Sequence, residues 1–389
     1  MRVYLDYNAT APPAPDVVDA VTQVVRDHVG NPSSVHAFGQ RAKALIDDAR
    51  QQVAALIDAD PTEVVFTAGG TEADNLALRG AAEALEAGPR RRVITSGLEH
   101  EAVLNTVKAL ERRGWQVTRL STSERGIVDP GALGQAIGSD TALVSIMHAN
   151  NEVGTIQPVA ELAAIAREHG AVFHTDAVQS VGKIPVSVRE LGVDLLALSG
   201  HKFGGPLGAG ALYIRRGVRL LPYLTGGRQE RNRRAGTENV PAIVGLGVAA
   251  SLARQKTASE GPRLRLLRDR LESEILRLVP GTAVNGDRTA RVPNTTNIGF
   301  DGIEAESLLI ALDLEGIAVS TGSACSSGSL EPSHVLRAMG LPVHRTQNSL
   351  RFSLGMYSTQ EEVDRVIEVL PRLVEKLRGL TRKPLTVGS

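Results

Sequence analysis

Cysteine is almost absent from this chain, with one thiol, Cys325, in 389 residues. No internal disulfide can form, which suits a reducing compartment, and the expected location is the cytoplasm. Aromatic side chains make up only 3% of the residues, with a single Trp, which argues against a carbohydrate groove or a base-stacking surface. Charge of one sign is missing as well, since 43 Lys and Arg stand against 43 Asp and Glu. Nucleic-acid binding by phosphate neutralisation draws on a basic surplus, so none is expected. No run approaches the roughly 20 apolar residues of a membrane span. Met1 to Tyr7 goes straight into an alternating, strand-like run rather than a signal peptide. What remains is an enzyme or carrier that meets small molecules and other proteins.

The rest of the composition is ordinary for a soluble globular protein, with 42% hydrophobic and 22% charged residues. The length exceeds what one hydrophobic core usually serves, so two domains are expected. Val64–Thr67, Arg92–Thr95, Val117–Leu120, Ala142–Met147, Ala171–His174 and Asp194–Leu198 read as strands. Between them Ala73–Leu85, Glu101–Arg113 and Val159–Glu168 place apolar residues at helical spacing. Such alternation implies βαβ units and a mainly parallel sheet flanked by helices.

Beyond about residue 245 the texture changes. A helix is expected over Arg263–Leu278, then turns over Pro280–Arg291. Short strands follow near Thr295–Phe300, Ile317–Ser320 and Ser349–Ser353, among helices starting near Glu304, Pro332 and Thr359. The expected division is a large α/β domain, 16–245, and a smaller α+β domain built from 1–15 and 246–389. The smaller one carries the loop 320–331, whose start reads Ser-Thr-Gly-Ser-Ala-Cys-Ser-Ser-Gly-Ser. With no apolar anchors the stretch 320–329 is expected to be mobile, as is the polar tail beyond Leu380.

Ligands of open parallel sheets collect at the carboxyl ends of the strands, so the residues after each strand mark the candidate site. They are Gly69-Gly70-Thr71 opening a helix, His100 at a helix start, Asn150, Asp176 with Gln179, and Ser199 with His201 and Lys202. The Gly-Gly-Thr turn offers backbone N–H groups at a helix N-terminus, a phosphate seat. It lacks the lysine of a P-loop and the dinucleotide G-x-G-x-x-G spacing, and it also reads as plain turn chemistry. A lysine in a partly desolvated pocket can form a Schiff base; Lys202 reads that way or as a solvated loop lysine. Asp176 is placed to keep a pyridinium nitrogen protonated, or to cap a helix. Cys325 reads as a small buried hydrophobe or, among Ser and Gly, as a reactive thiol.

A run of longer motifs narrows this. Tyr4-Leu5-Asp6-Tyr7-Asn8-Ala9-Thr10, Asn31-Pro32-Ser33-Ser34, Thr71-Glu72-Ala73-Asp74-Asn75, His174-Thr175-Asp176-Ala177-Val178-Gln179, Ser199-Gly200-His201-Lys202, Arg234-Ala235-Gly236-Thr237-Glu238-Asn239, Ser323-Ala324-Cys325 and Arg351-Phe352-Ser353-Leu354-Gly355 follow one another along nearly the whole chain. Together they resemble the cysteine desulfurases, class V aminotransferase-like enzymes of pyridoxal-phosphate fold-type I, in the branch with a long flexible cysteine loop.

The resemblance implies an aspartate-aminotransferase-like α/β fold, pyridoxal phosphate as cofactor, L-cysteine as substrate and a homodimer. It implies that Lys202 carries the cofactor covalently and moves protons, and that Asp176 pairs with the ring nitrogen. Asn150 and Gln179 would bond the phenolic oxygen, with Asn150 also near the substrate, and His100 would stack on the ring and transfer protons. Gly70, Thr71, Ser199 and His201 would hold the phosphate, joined by Thr237 from a second subunit. Arg351 would clamp the substrate carboxylate with its bidentate fork. Cys325 would take the sulfur as a persulfide and pass it to an iron–sulfur scaffold or another acceptor protein, as a candidate transient cluster ligand; no resident metal is expected. Selenocysteine lyase is the nearest alternative activity. A non-catalytic sulfur carrier or scaffold is the alternative of another class, and the retained Lys202, Asp176, Gln179 and His201 speak against it. The start reads Asp6-Tyr7-Asn8 where the resemblance implies a small residue or Asn directly after Asp6, and this departure is given no functional weight.

Overall fold

The computed structural model describes residues 1–322 and 332–381. Cys325 and most of the 320–331 loop, with the tail after residue 381, lie outside them, so the expected mobility of both falls outside the described residues too.

Twelve strands are formed among the described residues, β1 Val3–Tyr4, β2 Val64–Thr67, β3 Arg92–Ser96, β4 Gln116–Leu120, β5 Thr141–Ser145, β6 Val172–Asp176, β7 Leu195–Ser199, β8 Gly210–Ile214, β9 Thr282–Asn285, β10 Thr295–Phe300, β11 Ile317–Ala318 and β12 Ser349–Ser353. Seven of them make one sheet in the order β2-β8-β7-β6-β5-β3-β4. β8 pairs antiparallel with both β2 and β7, and the remaining pairs are parallel. Six carboxyl ends therefore point the same way. β5 and β7 are buried at every residue, because helices cover both faces and the strands are apolar throughout rather than alternating. β4, at the edge, leaves Gln116 and Arg119 exposed.

The expected strands fall on β2 to β7 and β10 to β12. Two strands were not expected. β8 is a short apolar run that closes the sheet against the parallel direction, and β9 sits inside the segment read as turns.

The largest difference is a helix of 39 residues, Val240–Leu278, where the sequence predicts one over Arg263–Leu278 only. Pro262 and the glycines before it look like a boundary, yet the helix continues through the proline. Gly247 has a packing reason, since a Cβ there would meet the Ala49 Cα at 2.7 Å, on the helix Ala37–Leu56. The long helix also crosses the expected boundary at 245/246. Its early residues, such as Ile243, Leu246 and Ala250, join the core under the seven-stranded sheet. Its later residues, Leu264, Leu271 and Ile275, pack with Val3, Leu5, Phe300, Leu308, Phe352 and Leu370 around the antiparallel sheet β12-β10-β9. β1 pairs in parallel with β11 beside it. No helix among the described residues is long and apolar enough to cross a membrane.

Candidate active site

A cavity of about 390 Å³ opens at the carboxyl ends of the parallel strands. The chain order reverses there, β3 being flanked by β4 on one side and β5 on the other, the position where open α/β sheets take ligands. Gly70, Thr71, His100, Asp176, Gln179, Ser199, His201, Lys202 and Arg351 all line it.

All but Arg351, which lies in the middle of β12, come from a helix start or from at or just after a strand end. Gly70 and Thr71 begin the helix Gly70–Leu85 straight after β2. Only glycine fits the first position, because a Cβ on Gly70 would meet Val178 Cγ2 at 2.7 Å. The helix N-terminus thus approaches the turn that follows β6. His100 caps the helix Glu101–Arg112, its Nδ1 accepting the Ala102 N–H at 3.1 Å. Desolvation lowers the His100 pKa, against the pull of Asp176. A neutral ring that accepts at Nδ1 carries its proton on Nε2.

Asp176 ends β6, buried, with one oxygen accepting the Val178 N–H at 2.9 Å. Desolvation raises its pKa, while His100, the Val178 N–H and Lys202 act the other way. Lys202 Nζ donates to the backbone carbonyls of Asn8 at 2.7 Å and Ala9 at 2.9 Å. His201 Nδ1 lies 3.1 Å from Thr10 Oγ1, and burial, with Lys202 and Lys183 nearby, brings its pKa down to about 4. Arg351, on β12, is 1% exposed. Its Nη2 donates to Asp6 Oδ1 at 2.6 Å and its Nη1 to the Asn151 carbonyl at 2.9 Å, while its buried Nε has no partner.

Asn150 stands apart from the expected set. Its Nδ2 donates to the Leu98 carbonyl at 3.0 Å, and its Oδ1 accepts the N–H groups of Glu152 and Val153 at 2.8 and 3.0 Å. The side chain holds the turn after β5 and does not line the cavity; Asn151 and Glu152 do. Thr237 is exposed and also away from the cavity of its own chain. Arg234, three positions earlier, is tied to Glu72 in the first turn of the phosphate-seat helix at 2.8 Å. Cys325 is outside the described residues, but Gly322 before it and His334 after it both line the cavity.

Sequence reasoning missed a layer of buried ionisable groups beneath the site. Asp74 lines the cavity with its Oδ1 3.4 Å from His174 Nε2, and His174 Nδ1 is 2.9 Å from Ser145 Oγ. His174 and Asp176 are two apart on β6, so they share a face of the sheet. Glu99 accepts Ser96 Oγ–H at 2.6 Å and the Met147 N–H at 3.1 Å. Burial pushes Glu99 up to about 8 and Asp74 well above the carboxylate range, and brings His174 down to about 3. Asp74 lies within a quoted motif, but no local signal tells a buried acid from a solvated one. Asn8, which also lines the cavity, and Lys183, which bonds it, are both buried and were missed for the same reason.

The residues fit pyridoxal phosphate. The Gly70 cradle at a helix N-terminus is matched to a phosphate, and Asp176 to a protonated ring nitrogen. Lys202 reaches the same cavity with a primary amine, and Arg351 keeps a buried N–H without an acceptor. Known proteins agree. The family model described as aminotransferase class-V matches residues 3–366. A cysteine desulfurase of Nostoc sp. is 53% identical over 380 residues, which cover 97% of this chain and 94% of that protein. The cysteine desulfurase IscS of Methanosarcina thermophila is 50% identical, covering 99% of this chain and 94% of its own. A solved structure titled NifS-like protein superposes with a TM-score of 0.91 at 38% identity, covering 97% of this chain and 100% of that one. The chain belongs to the class-V aminotransferase family, whose members depend on pyridoxal phosphate.

Proposed function

We propose that this chain is a cysteine desulfurase, converting L-cysteine to L-alanine with transfer of the sulfur to Cys325 as a persulfide. The observation that carries the reading is the position of Gly322 and His334. These described neighbours of the Cys325 segment line the same cavity as Lys202, Asp176 and Arg351. Cys325 is three residues beyond Gly322, a reach of at most about 10 Å.

Bound pyridoxal phosphate supplies an electron sink for the substrate α-carbon. Gly70, Thr71, Ser199 and His201 hold the phosphate, Asp176 keeps the ring nitrogen protonated, and Gln179 donates to the phenolic oxygen. Arg351 holds the substrate carboxylate. Lys202 takes the α-carbon proton, and His100 exchanges the proton on its Nε2 with the substrate. The Cys325 thiolate attacks the substrate sulfur, so an S–S bond forms and the carbon–sulfur bond breaks. The electron pair of that bond stays with the carbon skeleton, which is protonated and leaves as alanine. The persulfide then passes to acceptor proteins for iron–sulfur cluster assembly or thio-cofactor synthesis.

The exposure of Thr237 supports a homodimer in which it serves the neighbour's phosphate. The two hydrophobic cores support the division into 16–245 and 1–15 with 246–389, the long helix being shared. A single thiol and no disulfide support a cytoplasmic location.

Two variants test the reading. Borohydride reduction of the holoprotein followed by peptide mapping should label Lys202, and Lys202→Ala should abolish the label; a label on Lys183 refutes the assignment. Cys325→Ser should keep the cofactor and change its spectrum with L-cysteine, yet release no alanine above background. Near wild-type release from L-cysteine would instead favour a lyase that needs no thiol.

A further inference from the structure

Asn8 is 2% exposed and ties together groups from distant parts of the chain. Its carbonyl accepts from Lys202 Nζ at 2.7 Å and from Gln179 Nε2 at 3.0 Å. Its Oδ1 accepts from Lys183 Nζ at 2.7 Å and from Asn294 Nδ2 at 3.1 Å. Its Nδ2 donates to Thr295 Oγ1 at 2.9 Å and to the Asn151 carbonyl at 3.1 Å. Lys183 Nζ also donates to Gln179 Oε1. Lys183 is buried and does not line the main cavity, and among the described residues no carboxylate lies within ion-pair distance of it.

A buried lysine without a counter-ion is costly when charged, and desolvation, with Lys202 and Arg351 nearby, holds the Lys183 pKa well below its ordinary value. A neutral amine has two N–H donors, and here both have acceptors, Asn8 Oδ1 and Gln179 Oε1. The Gln179 amide is thereby left with one orientation. Its oxygen faces the amine and its NH2 group faces the Asn8 carbonyl. The reverse would set two carbonyl oxygens against each other. Gln179 lines the cavity, and an NH2 group has a second hydrogen to offer there.

We infer that Lys183 is a positioning residue that acts through Gln179, fixing its amide so that the cavity meets a hydrogen-bond donor where the phenolic oxygen of the cofactor would lie. The contact of the same amine with Asn8 Oδ1 holds it in place for this role. The inference rests on the pyridoxal-phosphate reading above and asks something further of it.

The test is a double-mutant cycle on Lys183→Met and Gln179→Leu, read in two ways that need no turnover. One readout is pyridoxal-phosphate affinity, from absorbance titration of the apoprotein. The other is the pH midpoint of the visible band of the holoprotein. A donor to the phenolic oxygen favours its deprotonated form, so Lys183→Met should raise the midpoint by about one unit and weaken cofactor binding about tenfold. Gln179→Leu should do the same, and the double variant should add nothing to Gln179→Leu alone. An unchanged midpoint in Lys183→Met, or additive shifts in the double variant, would overturn the inference. Where methionine at 183 does not fold, Lys183→Gln keeps a donor on a shorter arm. Its midpoint should stay closer to wild type than that of Gln179→Leu, and one at or beyond it is equally fatal. Wild-type protein that takes up no cofactor would bring down the underlying reading as well, which a normal wild-type titration separates from failure of the Lys183 role alone.

Discussion

Removing the charge of Asp6 should tighten the binding of amino-acid carboxylates. Arg351 holds Asp6 through Nη2 at 2.6 Å and leaves Nε, on the same edge of the guanidinium, buried and without a partner. A carboxylate gripped by the Nε and Nη2 fork has to displace Asp6 first. Opposite unit charges with centres roughly 4 Å apart attract by about 4 kcal/mol at an effective dielectric constant of 20. The Asp6 side chain is 19% exposed, and halving the attraction for solvent leaves about 2 kcal/mol, or roughly thirtyfold in affinity. Asp6→Asn keeps the shape and the backbone contacts of this residue. The dissociation constant of L-alanine, which carries the carboxylate but no sulfur, can be read from the visible spectrum of the holoprotein, with the KM for L-cysteine measured alongside. A tenfold or greater fall in both is expected. Unchanged or weaker binding would show that Asp6 orients Arg351 rather than competing for it, and the argument would fail.

Asp176→Asn should keep cofactor and lose more than tenfold in kcat, at least about 1.4 kcal/mol, because an amide cannot hold the ring nitrogen protonated; a variant retaining over a tenth of wild-type kcat places the role elsewhere. Glu99, pushed up to about 8, binds its proton more tightly folded than unfolded. Its contribution is therefore fully present below the ordinary carboxylate range and is lost as pH rises toward 8. Glu99→Gln keeps an acceptor for Ser96 and Met147, so the fall in Tm between pH 5 and pH 8 should flatten, and an equally steep fall counts against the buried acid. His148 and His174 are brought down to about 4 and about 3. Stability from them is present above the ordinary histidine range and lost as pH falls toward those values, so Tm should also decline on the acid side. Glu230→Ala should cost about 3–5 kcal/mol in denaturant melts, by stranding a buried cation. Glu230 holds the Arg50 guanidinium through two contacts of 2.7 Å and accepts the Phe66 N–H at 2.9 Å; a loss under 1 kcal/mol would contradict that account.

The strand ends were legible because each switches from apolar to polar chemistry within two or three residues. Val64–Thr67 into Gly69-Gly70-Thr71, and Leu195–Leu198 into Ser199, His201 and Lys202, are local events that any reader of the sequence meets. β8 was passed over because βαβ alternation leads one to expect parallel strands, and nothing within Gly210–Ile214 itself gives its direction. The expected helix begins only at Arg263, because Gly261 and Pro262 argue locally against helix there, and packing on both cores overrides that propensity. Asn8 and Lys183 were out of reach for a different reason. Their partners are Gln179, Lys202 and Asn294, brought together only by the finished fold, and a lysine in the sequence carries no mark of its burial. The engaged side chain of Asn150 is likewise a property of the turn after β5.

β1 has consequences for how the molecule comes off the ribosome. Val3 and Tyr4 pair with Ile317 and Ala318, and the Ser353 N–H donates to the Leu5 carbonyl. Residues 3–5 therefore wait for partners that lie more than 300 residues later in the chain. At ~5–20 residues per second that interval is roughly 15 to 60 s, during which the opening segment is without its partners while the seven-stranded sheet can already condense. Asn8 hangs from the same segment, so the docking point for Lys202 is absent until that late closure. A nascent or truncated chain can be compact, with its largest sheet in place, and still lack the seat of its amine. The amine seat is therefore completed only once the segment around Ile317 and Ser353 has been made and has folded back onto β1.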